Sequence, residues 1–147
     1  MEIDHKKLGA ALFNATWDFI DKKTRTEEEI FEMINSAHAS SYHWSKFEGV
    51  TPANFARSYW QISRVYCLAN QGDAALLYAN RSLEVCLQNN LGALDLAFGY
   101  EGVARAYAVK NMVEARDNNI ALAREAAEKI IDDDDKNWTL QNINNIK

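Results

Sequence analysis

The chain has 147 residues, a single proline, six glycines, two cysteines and a formal net charge of −5. That length suits one domain, large enough to bury roughly 68–70% of its unfolded surface and so to fold without a disulfide or a metal. The acidic balance argues against general nucleic-acid binding, which needs a basic surface, and no stretch approaches the roughly 18 apolar residues of a membrane span.

Few breakers and many Ala, Leu, Glu and Asn predict helices throughout. A first helix is expected over about 3–22, with Leu8, Ala11, Leu12, Ala15 and Phe19 as its apolar stripe at spacings of three and four. In "TRTEEEI", Thr26 is followed three residues later by Glu29, a capping box that opens a second helix running to Phe47. Its inward residues are Ile30, Ile34, Ala37 and Trp44. "VTPAN" opens the third helix, with Thr51 as cap and Pro52 at the first helical position, where a missing N–H costs nothing. That helix ends at "ANQGD", where Asn70 and Gly72 tolerate positive φ and Asp73 can cap the next helix. The fourth helix covers about 74–89 and the fifth about 93–109. Asn111, three before Glu114, signals the cap of a sixth helix that reaches Ile131. The run Asp132–Asp135 reads as a turn, and a terminal helix over about 136–146 carries Trp138, Leu140, Ile143 and Ile146.

Short connections between helices of this length favour antiparallel neighbours, giving hairpins over about 3–48, 52–89 and 93–131. The last two share a pattern: an aromatic, an aliphatic three on, a small residue next, and a tyrosine three further. These are Tyr59, Ile62, Ser63 and Tyr66, then Tyr100, Val103, Ala104 and Tyr107, with Ala75 and Ala115 early in each second helix. This pattern resembles the tetratricopeptide repeat. Residues 56–89 fit one repeat without a gap, although Leu87 stands where the closing proline is usual. Residues 93–131 match more loosely, and 1–48 only by hairpin shape. The chain is similar to short bacterial proteins of tetratricopeptide type. The resemblance implies an all-α, right-handed stack of helical hairpins, here three plus a C-terminal capping helix.

It also implies that the first helix of each hairpin lines a concave groove. Transferred to this sequence, the groove positions are Arg57, Trp60, Gln61, Arg64 and Leu68 from helix 3, and Phe98, Glu101, Gly102, Arg105 and Val109 from helix 5. Helical spacing agrees, because 57, 60/61, 64 and 68 share a face turned away from Tyr59, Ile62 and Tyr66. Arg64 and Arg105 hold equivalent places and should be neighbours. Two guanidiniums beside an indole suit an acidic segment or a free carboxylate, since arginine donates in a fixed fork and tryptophan offers area for stacking. The competing reading is structural: Glu101 and Arg105 form an i,i+4 pair.

A second polar cluster, "SAHASSYHWSKF", puts His38, Ser41, Tyr42 and Ser45 on one side of helix 2. His38 and His43 have the wrong spacing for a helical metal site, and nothing marks an oxyanion hole. Trp17 and Trp44 read as core between the first two helices, with Trp60 alone of the four tryptophans facing a groove. Cys67 and Cys86 read as small buried hydrophobes in a reducing compartment. The expectation is a cytoplasmic, non-enzymatic protein-interaction module that binds a peptide or protein segment, without cofactor, metal, membrane or nucleic acid. The alternatives are a self-associating scaffold, such as a homodimer, and a small-molecule sensor or enzyme using His38, Tyr42 and the arginines.

Overall fold

The computed structural model describes residues 2–147. The described residues form seven helices and no strand: α1 (His5–Ile20), α2 (Glu27–Lys46), α3 (Pro52–Leu68), α4 (Gly72–Gln88), α5 (Ala93–Val109), α6 (Val113–Ala127) and α7 (Asp133–Asn144). The all-α expectation therefore holds. The most extensive packing is within α1/α2, α3/α4 and α5/α6. α2 on α3 and α4 on α5 join these pairs, α5 also lies against α3, and α7 rests on α5 and α6.

Local chemistry sets the helix starts. The Thr26 hydroxyl accepts from the Glu29 N–H while the Glu29 carboxylate accepts from the Thr26 N–H, so two orphan donors of the first turn are satisfied. Thr51 and Asn54 make the same reciprocal box ahead of α3, with Pro52 in the first turn. α3, α4 and α5 all close on an asparagine in the left-handed region: Asn70 (φ 58°), Asn90 (φ 50°) and Asn111 (φ 59°). After each, the next N–H reaches back to the carbonyl five residues earlier: Gln71 to Tyr66, Leu91 to Cys86 and Met112 to Tyr107. This corrects two expected caps. Asn111 closes α5 rather than opening α6, which starts after Met112 without a side-chain cap. Asp73 lies inside the first turn of α4, paired with Lys110, and Gly72 does not take positive φ. At the other end of the chain, α6 stops at Ala127, and the aspartates form the first turn of α7, capped by Asp132. Carboxylates there favour the positive end of the helix.

Hydroxyl donors and small residues hold the pairs together. Ser63 Oγ donates to the Ala75 carbonyl and Ser82 Oγ to the Ala56 carbonyl, each at 2.8 Å, so α3 and α4 are tied in both directions. Ser40 Oγ does the same from α2 to the Gly9 carbonyl of α1 at 2.8 Å. Gly102 is a point of close approach at the α3/α4/α5 junction. A Cβ there would sit 3.2 Å from Trp60 Cδ1 and 3.8 Å from Ala79 Cβ, so the residue lets the indole lie flush on α5. The apolar cluster of Ile20, Met33, Ala37, Ile62 and Val65 joins α1, α2 and α3. The α1 stripe expected from periodicity is displaced: Gly9, Thr16 and Ile20 are buried, whereas Leu8 is 40% exposed. α1 must serve α2 on one side and α3 on another, which rotates its buried face.

His38 Nε2 lies 2.8 Å from Tyr66 Oη, edge-on to the rings of Tyr66 and Tyr78. Burial holds the imidazole below its ordinary value of 6.5. The unfolded chain therefore takes up this proton first, and the stability contribution of His38 is present above 6.5 and lost as the pH falls below it. Urea unfolding of wild type and His38→Gln on either side of that value should show a steeper acid loss for wild type. Parallel profiles would rule the histidine out as the cause.

Candidate functional site

Two adjoining features share one side chain, Trp60. The larger is an open cavity of about 470 Å³. α1 contributes Phe13, Trp17 and Asp21, which recur at i, i+4 and i+8 and so lie along one face. α3 supplies Ala56, Arg57 and Trp60, and Ser82 of α4 reaches the floor. α5 gives Leu94, Asp95 and Phe98, and α7 closes the far side with Trp138. The aromatic rings form a continuous chain. Trp17 and Trp60 are tilted at 5.7 Å between centroids, Trp60 meets Phe98 edge-on at 5.5 Å, and Phe98 meets Trp138 at 5.1 Å. Such contacts are worth about 0.5–1.5 kcal/mol each beyond their buried area, so the wall is preassembled.

The charges at the cavity are arranged unequally. Arg57 donates through Nε and Nη2 to both carboxylate oxygens of Asp95, at 3.0 and 3.1 Å, and this fork raises the guanidinium above its ordinary value. Asp21, at the C-terminal cap of α1, makes no side-chain hydrogen bond or ion pair among the described residues. The lining therefore bears one neutralised pair and one uncompensated carboxylate.

The second feature is a narrow crevice on the other side of the Trp60 indole, where Ser63, Arg64 and Cys67 of α3 face Glu101, Gly102 and Arg105 of α5. Glu101 is 1% exposed and accepts two hydrogen bonds, from Trp60 Nε1 at 2.8 Å and from Arg105 Nε at 2.7 Å. Arg105 spends its Nη2 on the Asn142 carbonyl of α7 at 2.9 Å, which fixes the last helix to the crevice. Arg64 is different. Its Nε is buried without a partner, and burial, together with the neighbouring Arg105 charge, lowers its pKa from the usual arginine value. One guanidinium of the crevice is thus left with an unsatisfied Nε donor. Cys67, in the same crevice, and Cys86, which contacts the Asp95 carbonyl, are both pushed up to about 11 by burial, so neither thiol is an activated nucleophile.

The expected groove residues divide between the two features and the packing behind them. Arg57, Trp60 and Phe98 line the cavity, while Arg64, Glu101, Gly102 and Arg105 line the crevice, where Arg64 and Arg105 are neighbours. Gln61 is 1% exposed and donates to the Phe13 carbonyl at 2.9 Å, so it ties α3 to α1 beneath the groove. Leu68 packs on the Ile20–Met33 cluster. Val109 lies near Gly72 at the end of the α3/α4 turn. His38 and Tyr42 are not brought together: His38 bonds Tyr66, and Tyr42 is 58% exposed against His43. Two tryptophans differ from expectation. Trp17 and Trp138 both line the cavity, because α1 turns its 13/17/21 face toward it and α7 lies along α5, with Trp138 against Phe98. The regular spacing of Phe13, Trp17 and Asp21 was the available signal for α1; nothing local announced Trp138.

Compared with known protein families, with characterised proteins and with solved structures, the chain finds no match in any of the three.

Proposed function

We propose that the chain is a non-enzymatic interaction module of tetratricopeptide-like build, which binds a peptide or protein segment in the groove bordered by α1, α3 and α5. The observation that carries this reading is the pairing of an aromatic cavity of about 470 Å³ with a guanidinium, Arg64, whose Nε has no hydrogen-bond partner, across a shared indole. The volume falls within the usual range of preformed binding pockets, which combine apolar walls with few polar groups. Buried small residues at Ser63, Ala75 and Ala104 and the recurring asparagine-closed turns support the repeat-like build. One side chain of the segment fills the cavity, and an acidic group or terminal carboxylate meets Arg64.

Calorimetric titration of an acidic peptide carrying one aromatic residue, prepared with a free or an amidated C-terminus, tests this. Wild type should bind the free acid, and Arg64→Ala should weaken it about tenfold or more, the scale of a charge-assisted hydrogen bond. Equal affinities for the two proteins would remove the carboxylate contact, and no binding at all would remove the groove.

A further inference from the structure

The cavity side of that groove has a charge and shape of its own. We propose that the side chain it takes from a bound segment is an alkylated ammonium, a methylated lysine; the inference rests on the segment-binding reading given above. Three observations carry it. The walls are tryptophan and phenylalanine rings from four different helices, Trp17, Trp60, Phe98 and Trp138, held in contact with one another. Aromatic faces attract a cation, and the attraction grows when water is excluded. The lining charge sums to −1: Asp95 is cancelled by Arg57, and Asp21 is left over. The nearby cations are committed or displaced. Arg25 donates to the Phe19 and Ile20 carbonyls at the end of α1, Arg105 is held by Glu101, and Arg64 sits in the crevice beyond the indole.

Alkylation is favoured by the hydrogen-bond inventory. A primary ammonium brings three donors and strong hydration. The cavity answers with one free carboxylate at its rim, since both Asp95 oxygens serve Arg57. Methyl groups remove the donors, spread the charge and present apolar surface to the rings, while the lysine stem lies along Leu94 and Phe13. A carboxylate in the same place would meet Asp21 with no lining cation free to compensate.

The test uses the full chain and two matched probes: N-acetyl-ε-trimethyllysine amide and its carbon isostere, in which a quaternary carbon replaces the nitrogen. NMR titration should give about tenfold tighter binding of the cation. Asp21→Asn should erase most of that preference while leaving the isostere unchanged, and Trp138→Ala should weaken both. Each variant replaces an exposed residue, so the fold is retained. Equal binding of the two probes overturns the proposal and leaves the apolar cavity standing. Binding of neither at millimolar concentration overturns it as well. In that case the acidic-peptide titration decides separately whether the groove reading survives.

Discussion

Replacing Glu101 by alanine is expected to destabilise the protein by about 3–5 kcal/mol, the penalty for breaking a buried ion pair by removing one partner. The size reflects what the carboxylate holds. It is almost fully buried, accepts from the Trp60 indole of α3 and from Arg105 of its own helix, and is the only negative charge in a crevice that also contains Arg64. Without it, two guanidiniums face each other in a low-dielectric site, and the indole N–H loses its acceptor. Glu101→Gln keeps an acceptor for Trp60 but not the charge and should fall between wild type and alanine. Removing Arg105 together with Glu101 should return part of the loss, because the double variant leaves Arg64 as one buried guanidinium in place of two that repel each other. Urea unfolding of the four proteins checks this. A Glu101→Ala variant within about 1 kcal/mol of wild type would show that the crevice relaxes and that Glu101 is not the keystone assigned to it.

Ile62→Ala is expected to cost about 2–5 kcal/mol, as truncation of a fully buried aliphatic side chain leaves a cavity that its neighbours fill only in part. Ile62 is 1% exposed and packs in the cluster of Ile20, Met33, Ala37 and Val65 that seats α3 against α1 and α2. The residue lies two positions after Trp60 and turns the other way, so it supports the groove from behind without lining it. Stability should drop strongly, yet the protein that remains folded should bind the acidic peptide with little change. A variant that keeps its stability but loses binding would reverse that assignment.

Much of the backbone plan was legible because it is local. Thr26 with Glu29, and Thr51 with Pro52, announce helix starts through groups within four residues of one another. The asparagine turns were legible in part. Asn70 stands where expected, but Asn111 has two uses, as a helix cap and as a left-handed closing residue, and local sequence does not say which one tertiary packing selects. The groove was legible on α3 and α5, where periodicity separates the tyrosine face from the arginine face. It was illegible on α1 and α7. Trp17 looks like core by composition, and its turn toward Trp60 depends on how α1 crosses α3. The neutralisation of Arg57 by Asp95 joins residues 38 positions apart and rests on the register between α3 and α5. Of the three arginines expected in the groove, Arg57 is thus bound in a fork by Asp95 and Arg105 is held by Glu101, which leaves Arg64 with an unmet Nε.

The clustering of indoles also makes the molecule its own reporter. Three of the four tryptophans, Trp17, Trp60 and Trp138, stand around one cavity, and the first two are near van der Waals contact. Excitation absorbed by any of them can pass to its neighbours, so near-ultraviolet emission is weighted toward the one place where a visitor would sit. A guest that displaces water from those rings would shift the colour and intensity of the whole protein's fluorescence, without any dye attached.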